Sequence, residues 1–412
     1  MMWSIVVVLF VYQFIARSSF PTVLTEQLMQ HFSIDTAGMG VLASCYYWVY
    51  MFMQVPAGVV IDKISARIVA VVCAATCASG VYIFISTQNC YVAGIGWMIL
   101  GFGSSFAFLL NLKIIANWFS ADQIPIKTSH TIAVGCAGPV VGGPLVSYLV
   151  RDRSWVSVME VFAIFGFFLT ILVWVVIRDK EKSSDAVDNQ EDVSITRSLK
   201  MIVTSRQIWI LSLSTMMLYA PLSALGDLWG VLFMKKAYGV DSVVASLANN
   251  MLYVGMVIGA PVFAHLAVSM GSYKKPMVAG MVLATLSMGT IVLFCSQLSI
   301  EVVFFLFFLT GFSEGAMLAY PLALMMFPRS IGGTVSGFVN MISMLSGVIL
   351  MPLIGWIVNW SWDGTIENGT KVYSVNDFRL GLLAVLIFLI IGVLLSLLIE
   401  DRSPKEKTDP PA

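Results

Sequence analysis

The sequence predicts an all-α polytopic membrane protein with twelve transmembrane helices, and three observations lead to that fold class. The 412 residues are 58% hydrophobic and only 11% charged, which does not suit a water-facing surface. Mean hydropathy is +0.89, because the chain contains separate apolar runs of about 20 residues, each long enough to cross roughly 30 Å of hydrocarbon as a helix. The runs are continuous rather than alternating, which excludes the strand pattern of a β-barrel.

The apolar runs fall into two sets of six. The first set covers about 3–24, 38–61, 68–87, 92–118, 128–150 and 155–177, and the second covers about 208–233, 245–270, 277–296, 301–327, 331–358 and 379–399. The polar composition of residues 178–200 predicts a flexible linker, since this stretch cannot bury a core. The expected units are an N-terminal six-helix bundle (1–178), a linker (179–206), a C-terminal six-helix bundle (207–400) and a short tail (401–412).

The distribution of lysine and arginine orients the predicted helices in the bilayer. An even number of spans puts both termini on one side, and the loops on that side carry fifteen of the 23 basic residues. The opposite loops carry six, while Arg17 and Lys113 lie within spans. Because basic residues are retained on the cytoplasmic side, we expect both termini, the linker and the tail to be cytoplasmic.

The two predicted bundles also show weak internal similarity. A proline-led helix end at Pro56 recurs at Pro261, and another at Pro144 recurs at Pro352, with offsets of 205 and 208 residues. Two similar offsets close to half the chain length favour a duplicated six-helix unit with pseudo-two-fold symmetry and a site between the halves. Chance similarity among apolar segments is the alternative.

The loop after the second span carries a recognisable motif. Residues Gly58-Val-Val-Ile-Asp62-Lys63-Ile-Ser65-Ala-Arg67 follow the pattern G-x-x-x-D-[RK]-x-G-x-[RK], with Ser65 in place of the second glycine. The chain therefore resembles the major facilitator superfamily. The resemblance implies a gating role for Gly58, Asp62, Lys63 and Arg67: the glycine would let helices approach, and the charges would latch one cytoplasmic arrangement.

A narrower resemblance comes from residues in the first, second, fourth and seventh spans. The segments Tyr12-Gln-Phe-Ile-Ala-Arg17, Tyr46-Tyr47-Trp48-Val-Tyr50, Lys113-Ile-Ile-Ala-Asn-Trp118-Phe119 and Leu228-Trp229-Gly230 are similar to the anion:cation symporter branch and to nutrient transporters of intracellular bacteria. Arg17 and Lys113 match two cations of that branch. Ala16 replaces its acid, so no coupling mechanism is carried over from that position.

The basic residues within spans are candidate substrate ligands, because a charge in hydrocarbon costs about 2.5–3.5 kcal/mol by insertion scales. Arg17 shares a helix face with Gln13 and can bind a carboxylate through two parallel hydrogen bonds. A structural ion pair is the alternative for Arg17. Lys113 lies nearer the cytoplasmic end of its span, where extension to the interface is the alternative.

The acidic residues within spans lie in the second half. Glu314 falls between Gly311 and Gly315 near the middle of its span, and we predict that it carries the coupling proton, with a structural salt bridge as the alternative. Asp227 extends a polar face that includes Tyr219, and either binds substrate or is solvated near the outer end. Tyr50, Tyr219 and Asn340 complete the predicted cavity lining.

These residues predict a secondary active transporter that moves a small carboxylate-bearing solute by alternating access, with a proton as the coupling ion. An amino acid or short peptide leads, its amine meeting Glu314 or Asp227, and sugar acids or other organic anions follow. We expect a monomer in the lipid bilayer, without cofactor, metal or nucleic-acid partner. No phosphate-binding loop appears, so ATP is not the expected energy source.

Alternative functions and compartments remain open from the sequence. The glycine-rich segment Gly135-Cys-Ala-Gly138-Pro139-Val-Val-Gly142-Gly143 is similar to a motif of drug/proton antiporters, which would export apolar cations. A uniporter of small solutes and a receptor that does not transport are further alternatives, whereas no constellation suggests an enzyme. A bacterial inner membrane is expected. Two sequons, at Asn359 and Asn368, make a lysosomal or other eukaryotic membrane the alternative.

Overall fold

A computed structural model describes residues 2–120, 123–179, 195–315, 317–328, 331–367 and 370–403. Nearly all of this chain is helical. The elements are α1 (Met2–Phe32), α2 (Thr36–Lys63), α3 (Ala66–Ile85), α4 (Cys90–Trp118), α5 (Ile124–Asp152), α6 (Trp155–Val176), α7 (Ile195–Thr204), α8 (Arg206–Tyr238), α9 (Ser242–Met270), α10 (Lys274–Phe294), α11 (Ile300–Glu314), α12 (Ala319–Met326), α13 (Gly332–Ser361), the antiparallel strands β1 (Ile366–Glu367) and β2 (Thr370–Lys371), and α14 (Val375–Ser396).

Eleven helical segments of the described chain are long and apolar enough to cross a membrane, counting α11 and α12 together as Ile300–Met326. The prediction of an all-helical polytopic membrane protein is therefore confirmed. The helix α2 is 28 residues long and coincides with the second predicted span, although it is not among the eleven.

Three features differ from the sequence prediction. The first helix continues to Phe32, well past the predicted end of the first span. The span predicted at 301–327 is interrupted, because α11 ends at Glu314 and α12 begins at Ala319. The predicted flexible linker contains α7, which buries Ser198 and Ile202. The many charges before residue 195 concealed that amphipathic pattern, so the prediction of a flexible stretch over 178–200 is wrong for residues 195–200.

Short polar residues begin several of the helices. Asp35 accepts the backbone N–H of Gly38 at the start of α2, Asn89 caps α4, and Asp241 accepts two backbone N–H groups at the start of α9. Ser374 and Asp377 form a reciprocal capping box at α14. These caps lie at the helix ends opposite the chain termini, which we call the far face; the ends nearer the termini form the terminal face.

The helices form two groups by their contacts. Helices α1 to α6 pack mainly on one another, and α8 to α14 do likewise. The groups meet where α2 packs along α13, where α5 packs on α9, and where α1 packs on α8. The charged residues described below lie at this last contact.

At the terminal face of each group, an aspartate that follows the last helix accepts hydrogen bonds from the start of the third helix, an arrangement that we call the aspartate clasp. In the first group, Asp179 accepts the Ser65 hydroxyl at 2.5 Å and the Arg67 backbone N–H at 3.3 Å. In the second group, Asp401 accepts the Ser272 hydroxyl at 2.7 Å and the Lys274 backbone N–H at 3.2 Å. Each acid follows the last helix of its group and holds the start of the third, which fixes the helices of that group to one another.

Candidate functional site

Two opposite charges meet between α1 and α8, in the interior of the molecule. Arg17 Nη2 lies 3.5 Å from Asp227 Oδ2, with side-chain exposures of 5% and 0%. Each residue lies in a π-helical segment, Ile15–Ser19 in α1 and Leu222–Trp229 in α8. Such segments widen a helix locally and are frequent at functional sites. The predicted solvated alternative for Asp227 is therefore wrong, and the predicted ion pair of Arg17 is present.

Asp227 receives hydrogen bonds from both helix groups. The Tyr47 hydroxyl of α2 donates to one carboxylate oxygen, and the Tyr253 hydroxyl of α9 donates to the other at 2.5 Å. Ser18 Oγ lies 2.7 Å from the Tyr253 hydroxyl oxygen, which extends the network back to α1. Three donors, including Arg17, offset the cost of burying this carboxylate.

Arg17 has fewer partners than Asp227. Its Nη2 also donates to the Tyr219 hydroxyl at 3.5 Å, whereas its Nε is buried without a hydrogen-bond partner. Aromatic rings surround the guanidinium instead, with the Phe14 ring centroid 4.6 Å away and those of Tyr46 and Tyr47 near 6 Å. Arg17 is thus held in place while part of its donor capacity is unused.

Glu314 links the interrupted α11–α12 segment to α8. Its side chain is 1% exposed, and Oε1 accepts the backbone N–H of Leu222 at 3.1 Å. The other oxygen, Oε2, is buried without a hydrogen-bond partner. Because Leu222 begins the π-helical segment that carries Asp227, the carboxyl of Glu314 and the Arg17–Asp227 pair act on the same stretch of α8.

A second polar cluster joins the groups on the terminal-face side of the charges. Asn340 Nδ2 donates to Gln54 Oε1 at 2.6 Å, and the Tyr320 hydroxyl donates to Asn340 Oδ1 at 3.0 Å. Tyr50 is half-buried and stacks on Tyr46 with ring centroids 5.5 Å apart.

Gln13 accepts the Tyr46 hydroxyl at 3.3 Å, so it belongs to the aromatic surroundings of Arg17. Of the predicted substrate ligands, Arg17, Asp227 and Tyr219 are in direct contact, while Gln13 and Tyr50 lie around them through Tyr46.

Lys113 is placed apart from this cluster. Its ammonium donates to the carbonyl of Ile61 and, at 2.8 Å, to that of Ile64, at the end of α2. Carbonyls at a helix C-terminus lack intrahelical partners, so a lysine there satisfies them and complements the helix dipole.

The motif residues after α2 contact their own helix group in this state. Arg67 Nε donates to the Trp174 carbonyl at 2.9 Å, and its guanidinium lies 4.1 Å from the ring centroid of Trp174. No described atom lies within 4 Å of where a Cβ of Gly58 would be, so the expected close helix approach at this glycine is absent here. The side chains of Asp62 and Lys63 lie outside the part of the structure that is described.

The far face is closed by contacts between the helix groups. Ion pairs join Glu26 to Lys236 at 3.4 Å and Arg151 to Asp241 at 2.9 Å. The Thr36 hydroxyl donates to the Gly355 carbonyl at 2.9 Å, and further links join Lys235 to Glu26, Lys371 to Asp35 and Ser147 to Ser246. Nearer the middle of α5, the Asn250 amide donates to the Pro139 carbonyl at 2.9 Å.

The pKa of Asp241 lies below its ordinary value because the backbone N–H groups of Val244 and Val243 and the nearby Arg151 favour its charged form.

Sequence reasoning considered Tyr253 as a residue of the cavity lining, but it missed Ser18, Tyr320 and the bond from Tyr47 to Asp227 as parts of the site. Single polar residues in apolar runs are common, and their partners lie in other helices.

Comparisons with known proteins identify the family. The sequence model described as Major Facilitator Superfamily matches residues 5–232 and, a second time, residues 211–412. The chain belongs to the major facilitator superfamily. The resemblance to this family noted from the motifs is confirmed, as is the prediction that the protein is not an enzyme.

Superfamily members from Escherichia coli strain K12 align along most of the chain. The probable galactarate/D-glucarate transporter GudP is 23% identical over 397 residues, covering 84% of each chain. The membrane sensor protein UhpC is 23% identical over 389 residues, covering 85% of this chain and 84% of its own. These alignments agree with membership of the superfamily.

Among solved structures, a bacterial homologue of the human lysosomal transporter Spinster, in an inward-facing and occupied conformation, superposes with a TM-score of 0.78 over 96% of each chain. At 14% identity, that likeness concerns the fold alone.

Proposed function

We propose that the protein is a secondary active transporter that moves a small carboxylate-bearing solute by alternating access, driven by a proton gradient. The observation that carries this proposal is Arg17, a cation buried between the two helix groups with an unpartnered donor. A buried arginine with unused donors is suited to bind a planar anion through two parallel hydrogen bonds.

The proposed architecture is twelve spans in two six-helix bundles related by a pseudo-two-fold axis, with α2 as the twelfth span. The bundles are residues 1–178 and 207–400, joined by the linker 179–206 and followed by the tail 401–412. The double match of the family model and the recurrence of the aspartate clasp at Asp179 and Asp401 support this duplication. The basic-residue distribution supports a cytoplasmic terminal face, and the bacterial relatives support an inner membrane.

Within this architecture Arg17 is the proposed ligand of the substrate carboxylate. Gln13, Tyr50, Tyr219 and Asn340 would line the cavity around it, contributing hydroxyl and amide groups. Lys113, bonded to the end of α2, would act on the gate rather than on the substrate in this conformation. Gly58, Asp62, Lys63 and Arg67 are proposed to favour one arrangement of the terminal face.

Among carboxylate-bearing solutes, we favour sugar acids over amino acids. An amine would need a free carboxylate, but Asp227 is occupied by Arg17 and two tyrosine hydroxyls, and Glu314 is proposed below to carry the coupling proton. A sugar acid instead offers several hydroxyls to the aromatic and amide side chains of the site. The relatives named for galactarate and D-glucarate, and the hexuronate transporter of E. coli at 23% identity over 61% of the chain, support the same choice.

The proposed coupling site is Glu314. A carboxyl that is 1% exposed, with one oxygen unpartnered, is stable as the neutral acid and would lose its proton only when the cavity is hydrated. Its bond to Leu222 would tie that proton to the segment of α8 beside the substrate. Proton binding and substrate binding could then depend on one another.

A ligand screen followed by uptake tests the proposal. Thermal stabilisation of the purified protein by D-glucarate and D-glucuronate, but not by L-alanine or tetraphenylphosphonium, is the expected result. Stabilisation by the apolar cation alone would favour a drug/proton antiporter. The next measurement is counterflow of the stabilising compound in proteoliposomes, which we expect to occur. If the rate of uptake is the same with and without an imposed pH gradient, the protein would be a uniporter.

The similarity to a membrane sensor protein makes a non-transporting receptor the second candidate. Carboxylate binding without counterflow would identify the protein as such a receptor. Arg17 would then recognise the ligand without transporting it. The contacts at the far face would change when the ligand binds, but they would not open to let it through.

A further inference from the structure

The two partners of the central ion pair differ in how well they are satisfied. Asp227 accepts hydrogen bonds from the Tyr47 hydroxyl and, at 2.5 Å, from the Tyr253 hydroxyl, and it keeps both if its 3.5 Å ion pair with Arg17 breaks. Arg17 meets both of its acceptors, Asp227 and Tyr219, at 3.5 Å and through one nitrogen. The guanidinium is therefore a poorly satisfied donor facing a well satisfied acceptor.

This difference makes the pair exchangeable. A free carboxylate can take two guanidinium donors in parallel at about 2.8 Å, which is a shorter and stronger arrangement than the single contact with Asp227. The rings of Phe14 and Tyr46 hold Arg17 without consuming its donors, so the cation stays in place while its acceptor changes.

We propose that Asp227 is an internal competitor for Arg17: it occupies the guanidinium in the empty protein, and the carboxylate of the substrate takes its place. The inference rests on the proposed function, and it deepens it by giving Asp227 a role in substrate affinity without contact to substrate. Because Arg17 belongs to α1 and Asp227 to α8, the exchange also releases one link between the helix groups beside the closed far face.

If Asp227 competes for Arg17, removing its carboxylate should strengthen substrate affinity. If Asp227 were a substrate ligand, the same change should weaken it. If Arg17 is free of Asp227 for a tenth of the time or less, then removing the competitor strengthens substrate affinity by about tenfold or more. Asp227→Asn should therefore bind radiolabelled D-glucarate about tenfold more tightly than the unmodified protein. Asp227→Ser serves as a second variant that also lacks the carboxylate.

Asp241→Asn is the matched control. It removes another aspartate that pairs with an arginine across the helix groups, at the far face, and asparagine still caps α9. We expect it to leave D-glucarate affinity unchanged within about twofold. If Asp241→Asn binds D-glucarate as tightly as Asp227→Asn does, the gain in affinity comes from weaker contacts at the far face, and the proposal is overturned.

A measurement without substrate separates this inference from the proposed function. Phenylglyoxal modifies free arginine side chains, and peptide mass spectrometry reports its rate of reaction at Arg17. The expected result is modification several-fold faster in Asp227→Asn and unchanged in Asp241→Asn. If D-glucarate binds neither protein, the sugar-acid proposal fails, while faster modification still supports Asp227 as the group that occupies Arg17.

Weaker D-glucarate binding in Asp227→Asn would make Asp227 a substrate ligand and contradict the exchange. An unchanged rate of modification at Arg17 would also contradict it, because Asp227 would then not limit access to the guanidinium.

Discussion

At the scale of single residues, the centre of the molecule depends on how a buried carboxylate is satisfied. Asp227 is fully buried, and an isolated charge there would cost several kcal/mol. The hydroxyls of Tyr47 and Tyr253 and the guanidinium of Arg17 offset that cost. Removing either tyrosine hydroxyl leaves one carboxylate oxygen without a hydrogen-bond donor, and the penalty should exceed that of losing a hydrogen bond between neutral groups.

Tyr253→Phe tests this account of Asp227. Loss of a hydrogen bond to a charged group should lower the free energy of unfolding by about 1.5–3 kcal/mol, read as a lower thermal unfolding midpoint. Tyr46→Phe is the matched control, since its hydroxyl bonds the neutral Gln13, and about 0.5–1.5 kcal/mol is expected. Equal losses in the two variants would indicate that Asp227 does not depend on the Tyr253 hydroxyl.

Glu314→Gln tests the coupling role proposed for the buried carboxyl. Glutamine keeps an oxygen for the Leu222 N–H but cannot exchange a proton. We expect exchange of labelled substrate between equal concentrations to persist and accumulation driven by a pH gradient to be lost. Concentration of substrate by the glutamine variant under a pH gradient alone would move the coupling site to another acid.

The sequence singled out Arg17, Asp227 and Glu314 because charges in apolar runs are conspicuous. It did not predict that Arg17 would pair with Asp227, since both were expected to meet substrate. Pairing depends on which helix faces meet, and a hydrophobic pattern alone does not encode that. The gating role of Asp62 stays a prediction.

At the scale of the helices, the irregular segments coincide with the site. The π-helical stretches of α1 and α8 carry Arg17 and Asp227, and α11 ends at Glu314. None of these irregularities follows from the apolar pattern, which predicted continuous spans. A π-helical turn changes the direction of the side chains without changing the pattern of apolar residues, so that pattern does not predict where such a turn occurs.

The far-face crossing of α2 and α13 depends on glycine. A Cβ at Gly355 would collide with the carbonyl of Thr36, and one at Gly40 would collide with that of Met351. The two helices therefore approach closely only where no side chain intervenes. Closure of the far face should be sensitive to bulk at Gly40 and Gly355 and insensitive to bulk at Gly333 of α13, where an added Cβ meets open space.

Gly355→Val should open the far face. Spin labels at Tyr91→Cys and Ile366→Cys, both exposed and on different helix groups, report the separation of the groups by electron spin resonance. We expect a longer mean distance in the valine variant by several ångströms. Gly333→Val, where the added side chain meets open space on the same helix, is the control and should keep the original distance. If the distance between the spin labels increases equally in Gly333→Val, the opening is not caused by a steric clash at Gly355.

At the scale of the whole molecule, the proposed alternating access requires two states, and the structure corresponds to the one with the far face closed. Among the described residues, links between the helix groups concentrate toward the far face, with Gln54 and Asn340 joining them nearer the terminal face. The composition and spacing of apolar runs sufficed to predict the fold class. They could not predict which face is closed, because alternative states differ by only a few kcal/mol.

Arg17 is the proposed carboxylate ligand of a proton-driven transporter, and every proposed step of transport depends on it. Its most direct test is uptake of the best-stabilising carboxylate from the ligand screen into proteoliposomes under an imposed pH gradient, comparing the unmodified protein with Arg17→Ala and Arg17→Lys. We predict accumulation by the unmodified protein, none by the alanine variant, and little by the lysine variant, because an ammonium cannot reproduce the planar fork. Accumulation by Arg17→Ala at the unmodified rate, at subsaturating substrate, would contradict the account.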